Sequence, residues 1–262
     1  MKINEFFEKV VHINLADRVD KDNTLKSHLA ENGIVSERVE GIDGRNYKEN
    51  EDGELVRDHQ VNENGLRDVY EAYCKTLIGI LTQAEIDGIE SVLIMQDDVQ
   101  FTSDAVEVFA ECTQRRERTI EVDDLESPIY GYDFETMEST GEIVGYNKKD
   151  IVEDYAYLPD DWAVFLLGFK KGTYAVKHIE GRVYKVRDWV LDHCWGITKK
   201  MYRPVIEALE SYKMPSDVAI SSVGMQNLST LKIYGIFNNG IAIQRESLSD
   251  NEGKIVEAKE VS

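Results

Sequence analysis

Short apolar runs alternate with helix-periodic stretches along this chain. Residues 10–15, VVHINL, are β-branched and brief, which predicts a strand. In DKDNTLKSHLAENG (20–33), Leu25 and Leu29 stand four apart between Asp and Asn caps and the stop Asn32-Gly33, which predicts a helix. VSERVEGIDG (35–44) predicts a second strand, ending in a turn at Asp43-Gly44. A β-α-β opening of this kind favours a parallel sheet.

Residues 45–65 are polar and predict a mobile loop. From Leu66 on, Val69, Tyr70, Tyr73, Leu77, Leu81 and Ala84 share one helical face as far as Asp87-Gly88. SVLIMQDDVQF (91–101) follows. Its run Val92–Met95 is too short for a helix after that stop, and its unbroken apolarity fits a strand covered on both faces. WAVFLLG (162–168) reads the same way. The stretch between, 102–160, is polar and acidic, and predicts an insertion containing a hairpin. Residues 173–190 predict a hairpin about Glu180-Gly181, and 198–212 a helix with Pro204 near its start. KIYGIF and IAIQ predict two strands separated by the turn signal Asn238-Asn239-Gly240. The expected organisation is an α/β domain over 1–253, with the insertion at about 102–160 and a charged, flexible tail over 254–262.

Composition narrows the function classes. Lys plus Arg number 30 against 50 Asp plus Glu, a formal charge of −20. Such a field repels nucleic-acid phosphates over most of a surface, so a nucleic-acid partner is disfavoured, though a local basic patch leaves it open. No run approaches the roughly 20 apolar residues of a membrane span. The N-terminus MKINEFFEKVVHINL lacks the pattern of a secretory signal, and a cytoplasmic protein, bacterial or viral, is expected. Cys74, Cys112 and Cys194 are widely spaced, which argues against a disulfide framework or a zinc site.

The candidate chemistry sits at Asp97-Asp98, where the strand 92–95 gives out. In open α/β sheets ligands bind beyond the carboxyl ends of strands. Neighbouring carboxylates there repel each other unless a cation or hydrogen-bond donors compensate. Mg²⁺ or Mn²⁺ carrying a diphosphate does this well, since both prefer oxygen and share few carboxylates with substrate phosphates. An acidic turn with capping aspartates is the competing reading of the pair alone.

The pair stands in an ordered set of motifs: INLADRVDK (13–21), GIDG (41–44), IMQDD (94–98), DDWAVFLLG (160–168), DHCWGITKKMY (192–202), PSD (215–217) and QRESLSD (244–250). The set resembles glycosyltransferase family 25, the lipooligosaccharide-biosynthesis and procollagen galactosyltransferase family. It departs from that family at Gln96, where the first acid of an EDD triplet is expected, and at Lys21, where the opening motif has a second Arg. GLRDVYEAYCKT also replaces the family's GCalSH element.

The resemblance implies a GT-A-like (Rossmann-like), mostly parallel central sheet flanked by helices. It also implies a metal-dependent transfer of sugar from a nucleotide-diphospho donor, UDP-linked, to a hydroxyl acceptor with inversion, using Mn²⁺ or Mg²⁺. On that resemblance Asn14, Leu15, Arg18, Asp43, Asp97 and Gln244 bind the nucleotide sugar. Asp98 and His193 take the metal, and Asp217, with Asp161 as rival, is the acceptor-activating base. Ser249 and Asp250 would close over the donor. Each residue also has a plainer use: a surface ion pair of Arg18 with Asp17 or Asp20, an Asp-Gly turn at Asp43, a core hydrogen bond at His193, and helix caps at Asp217 and Asp161. Trp162, Trp189 and Trp195 fit a sugar ring or the core. Three alternatives remain: a non-catalytic nucleotide- or glycan-binding module, a transferase acting on hydroxylated bases of phage DNA, and a nucleotidyltransferase on the same sheet. The expected acceptor is a glycan or another hydroxyl compound.

Overall fold

The computed structural model describes residues 1–49, 55–58, 60–64, 66–133, 138–171, 177–186, 189–226, 232–236, 241–244, 247–248 and 255–256. In chain order the elements are α1 (Ile3–Phe6), β1 (Lys9–Asn14), α2 (Val19–Glu31), β2 (Glu37–Glu40), β3 (Tyr47–Glu49), β4 (Leu55–Arg57) and α3 (Asp68–Ile86). Then come β5 (Ser91–Gln96), β6 (Val99–Phe101), α4 (Ala105–Thr113), β7 (Arg116–Asp133), β8 (Glu138–Tyr155) and β9 (Trp162–Lys171). The last are β10 (Lys177–Glu180), β11 (Val183–Lys185), β12 (Trp189–Thr198), a 3₁₀ turn (Lys199–Met201), α5 (Tyr202–Glu210), α6 (Ser216–Gln226), β13 (Lys232–Ile236), β14 (Ala242–Gln244), β15 (Ser247–Leu248) and β16 (Ile255–Val256).

Two compact units emerge from the chain's contacts: Met1–Thr113 with Tyr157–Ser262, and Gln114–Ala156. The larger unit is a mixed α/β fold on an eight-stranded sheet of order β10-β11-β13-β9-β12-β5-β1-β2. Six strands run one way, while β11 and β12 run the other. Because β12 separates β9 from β5, four of the seven neighbouring pairs are antiparallel, and the sheet is mixed.

Alternation along the strands explains the unbroken apolar runs. Val11, Ile13, Val92, Ile94, Val164 and Leu166 face a core shared with α3, α5 and α6. Val10, Leu93, Met95, Phe165 and Leu167 face a second core built on α1, α2 and α4. A strand covered on both faces has no polar positions to alternate with. Cys74, Cys112 and Cys194 are free and buried, and burial pushes the Cys194 thiol well above its ordinary range.

Several expectations change in detail. The predicted 198–212 helix begins with the 3₁₀ turn, and Pro204 falls in the first turn of α5, where its missing N–H costs no helical bond. Residues 45–65 contain the short antiparallel pair β3–β4. β13 and β14 do not pair with each other: β13 joins the main sheet, and β14 pairs with β6. Asn238-Asn239-Gly240 lie outside the described residues. Ile255 and Val256, in the stretch expected to be a flexible tail, pair with Leu248 and Ser247. The smaller unit is one long antiparallel ladder, β7 on β8, with irregularities between Asp123 and Pro128 and again up to Tyr132. No described helix is long and apolar enough to cross a membrane.

Candidate functional site

β1, β2 and β5 are adjacent and parallel, so their carboxyl ends open onto one edge of the sheet. Asn14 ends β1. Its side-chain N–H donates to Arg18 O at 3.0 Å, and its backbone O accepts from Gly41 N at 2.9 Å. Asn14 is 1% exposed, and its Oδ1 is buried with no hydrogen-bond partner among the described residues. A buried acceptor left unpaired is costly, so it needs an external donor or a trapped water. Leu15 O accepts from Arg18 N at 3.1 Å, turning the chain into α2. At that turn Arg18 reaches across the edge, with Nη1 3.9 Å from Asp97 Oδ2. Both side chains are largely buried, at 13% and 16% exposure.

Asp97 and Asp98 form the turn between β5 and β6, and Asp98 is 8% exposed. Gln96, just before them, donates from Nε2 to Tyr73 OH at 3.1 Å. The residue that departs from the family pattern thus ties β5 to α3 in place of adding a third charge. Beyond the turn, β6 pairs with β14, so the backbone of Gln244 lies opposite Val99, one residue after Asp98. The Gln244 side chain, like those of Trp189 and Asp192, lies outside what is described, as do Ser249 and Asp250.

His193 holds this second ladder in place. Its Nε2 donates to Ala242 O at 3.0 Å, and the ring is buried. Facing a carbonyl, Nε2 carries the ring proton, and in this geometry His193 ties β12 to β14 through that atom. Gly168 makes room for it: a Cβ at 168 would collide with Ala242 O and His193 Nε2 and lie 2.7 Å from His193 Cδ2. Two motifs far apart in sequence, 160–168 and 192–202, meet at this contact.

Asp43 follows β2, and Arg45 grips it. Arg45 Nε donates to Asp43 Oδ1 at 2.8 Å, and Nη2 donates to Asp43 Oδ2 at 2.8 Å and Asp17 Oδ2 at 2.7 Å. The Asp43 hydrogen bond, outweighing burial, pushes the Arg45 pKa above its already high ordinary value. The Asp43 carboxylate is therefore engaged from within the chain. Gly44 presses on the start of α3, where a Cβ would lie 2.6 Å from Asp68 O and 2.7 Å from Val69 Cα.

A buried polar group under α2 braces the same edge. His12 Nε2 and Asp22 Oδ1 are 2.8 Å apart, His12 Nδ1 lies 2.8 Å from Ser36 Oγ, and Lys26 Nζ donates to Asp22 Oδ2 at 2.6 Å. Burial holds the His12 pKa below its ordinary value despite Asp22. Burial pushes Asp22 up, but the Lys26 and His12 hydrogen bonds outweigh it and hold the carboxyl below its ordinary value. A neutral imidazole between Asp22 and Ser36 thus fastens the first turns of α2, which carry Arg18.

Asp217 lies in the first turn of α6. The loop before it sits by the N-terminal half of α3: Asn62 donates to Tyr212 O at 3.1 Å, and Lys75 Nζ lies 5.5 Å from the Tyr212 ring centre. That half of α3 also holds Tyr73, the partner of Gln96, so Asp217 belongs to the Asp97–Asp98 end of the sheet. Asp161 does not. It precedes Trp162, level with the start of β5 in the strand register, and lies roughly 20 Å from the other end by strand rise. There it accepts from Tyr234 OH at 2.9 Å, while its backbone O accepts from Lys200 at 2.6 Å. Trp162 and Trp195 are core residues, with Phe6 stacked 5.5 Å from Trp162.

Among the described residues no group of three His, Cys, Asp or Glu side chains could hold a metal by itself. The two carboxylates of one turn match the donor set of Mg²⁺ or Mn²⁺ when phosphate and water fill the remaining positions. Arg45 and Tyr73 escaped the sequence reading: Arg45 carries no spacing signal, and Tyr73 was absorbed into an apolar helix face.

No family model and no curated protein matches this chain. Solved structures do. A197 from STIV is similar over 97% of this chain and 96% of its own, at 13% identity and a TM-score of 0.37. UDP-glucose pyrophosphorylase complexed with UDP-glucose is similar over 90% of this chain and 74% of its own, at 10% identity and a TM-score of 0.33. HddC from Yersinia pseudotuberculosis covers 90% and 71%, at 8% identity and a TM-score of 0.26. At these TM-scores the likenesses decide neither the reaction nor the site.

Proposed function

We propose that this chain is a glycosyltransferase of GT-A-like fold that binds a UDP-sugar with Mn²⁺ or Mg²⁺ and transfers the sugar to a hydroxyl acceptor with inversion. The observation that carries the reading is the Arg18–Asp97 contact of 3.9 Å beside the buried Asp98. It joins the two motifs on which the family resemblance chiefly rests, INLADR and IMQDD, at the carboxyl edge of neighbouring parallel strands.

In this reading Arg18 lies where its guanidinium can turn from Asp97 to a phosphate oxygen, a pairing that suits its planar fork. The Asn14 Oδ1 acceptor suits the ring N–H of a uracil or a ribose hydroxyl. Asp98 would hold the cation, which supplies charge stabilisation for the departing diphosphate. Asp217, half-buried in the first turn of α6, is the carboxylate that would take the acceptor proton. Asp161, at the far end of the sheet, is left out of this set.

Incubation with a panel of UDP-sugars and Mn²⁺, read by mass spectrometry, tests the proposal. Asp98→Ala should abolish turnover, and a fully active variant would reject the assignment. The Gln96–Tyr73 bond favours one other reading, a module that binds UDP without turning it over, because an amide stands where the family carries a carboxylate. UDP binding without donor consumption across acceptors would select it.

A further inference from the structure

We propose that Arg18 is a built-in counter-ion of the Asp97–Asp98 turn, one that a divalent cation displaces and so releases toward the donor's diphosphate. The inference rests on the reading of this edge as a donor site and extends it to how cation and nucleotide depend on each other.

Neighbouring carboxylates resist being charged together unless something positive stands near. Asp98 is 8% exposed, so little water is at hand to share that cost. The chain supplies a positive group itself: Arg18 Nη1 lies 3.9 Å from Asp97 Oδ2, with both side chains largely buried. At that length the contact is electrostatic, and it lacks the short, directional bonds of an arginine fork locked on a carboxylate. Charge is what it contributes to the turn, and a metal ion contributes the same.

The base of the Arg18 side chain is fixed. Arg18 O accepts from Asn14 Nδ2 at 3.0 Å and from Asp22 N at 3.1 Å, and Asp22 is held in turn by His12. The guanidinium can therefore leave Asp97 by side-chain rotation, with the start of α2 in place. Asn14 points independently to a ligand. Ile13 pairs with Gln96, which brings Asn14 level with Asp97, and its buried Oδ1 has no hydrogen-bond partner among the described residues. Because Nδ2 is committed to Arg18 O, the amide is not free to flip, and Oδ1 faces the edge as an acceptor. It calls for a donor from outside the chain, such as a hydrated cation or a nucleotide carries.

Two positive groups compete for one turn. Arg18 opposes a cation that arrives alone, and a diphosphate relieves the competition by giving the guanidinium another partner. Cation and diphosphate therefore strengthen each other's binding through this side chain.

Titration calorimetry with Mn²⁺ alone tests this on the wild type, Arg18→Gln, Arg18→Met and Arg18→Lys. Removing the charge should tighten Mn²⁺ binding by about tenfold or more, the size of effect that a charge this close has on a neighbouring ionisation. Arg18→Lys keeps the charge and should bind Mn²⁺ as the wild type does. Melting curves give a second readout: Mn²⁺ should raise the melting temperatures of Arg18→Gln and Arg18→Met more than that of the wild type. Unchanged or weaker Mn²⁺ binding by these two variants, or equal tightening by Arg18→Lys, would overturn the displacement while leaving the donor site standing. Charge-removing variants that stay unfolded by circular dichroism in excess Mn²⁺ would also overturn it, since the cation then fails to replace the guanidinium. Absence of Mn²⁺ binding in every chain, with or without UDP, would overturn both this inference and the donor site.

Discussion

Gly44→Ala is a small change with a calculable effect. A methyl at 44 would lie 2.6 Å from Asp68 O, 2.7 Å from Val69 Cα and 2.8 Å from Ala72 Cβ. Ordinary contacts begin near 3.4 Å, so the loop and the first turn of α3 must part by roughly 0.8 Å. Neither side yields easily: Val69 and Ala72 are buried, and Ile42 N donates to Thr76 Oγ1 at 3.0 Å, holding the loop to the helix. Overpacking of this kind costs about 1–3 kcal/mol. At about 2–4 °C per kcal/mol for a chain this size, the melting temperature should fall by roughly 2–12 °C. Because Asp43 and Arg45 flank the glycine, UDP binding should weaken with it. Gly79→Ala, on the same helix with nothing within 4 Å of its Cβ, is the control. It should melt at or slightly above the wild-type temperature, since alanine is the better helix former. Scanning calorimetry with UDP titration decides the matter, and a Gly44→Ala protein with wild-type melting and affinity refutes the packing argument.

Three further outcomes are expected. Gly168→Ala should drive β14 from His193, lowering both melting temperature and UDP affinity; His193→Ala, which empties that space, should partly restore the double variant. Arg18→Ala should weaken UDP binding by about tenfold to a hundredfold, the worth of a charged hydrogen bond, and lower the melting temperature as well, because Asp97 beside Asp98 then loses its cation. Thermal stability should fall as pH drops below His12's ordinary value of 6.5. The unfolded imidazole takes up its proton there, while the buried one resists until its own lower pKa is reached, so the contribution is full above 6.5 and lost on acidification. Asp22, also held low, gives way only in stronger acid. A melting temperature flat from pH 8 to pH 5 contradicts the His12 argument.

The parts legible in the sequence were those whose pattern had a single physical cause. VVHINL, SVLIMQ and WAVFLLG were readable as strands because two cores cover them, and the apolar face running from Leu66 marked α3. Reading failed where cause and pattern separated. Ala105, Val108, Phe109 and Cys112 have helical spacing, yet α4 was submerged in an acidic stretch taken as insertion. Asn238-Asn239-Gly240 looks like a hairpin turn, but β6 competes for β14 and wins it. At the edge of the sheet, motif order named Asn14, Arg18, Asp97 and Asp98, and the structure sets Arg18 3.9 Å from Asp97. Asp161 stands at the other end of the sheet, which order along a chain does not reveal. His193 was legible as a position only; its bond to Ala242 depends on a glycine 25 residues earlier in the chain.

The account turns on Asp98 as the point where a cation meets the donor's diphosphate. Titration calorimetry of UDP, with and without Mn²⁺, on the wild type and Asp98→Asn addresses this most directly. The wild type should bind UDP far more tightly with Mn²⁺ present, and Asp98→Asn, equal in shape but uncharged, should lose that dependence. Equal Mn²⁺-dependent binding by both proteins, or no UDP binding by the wild type, would contradict it.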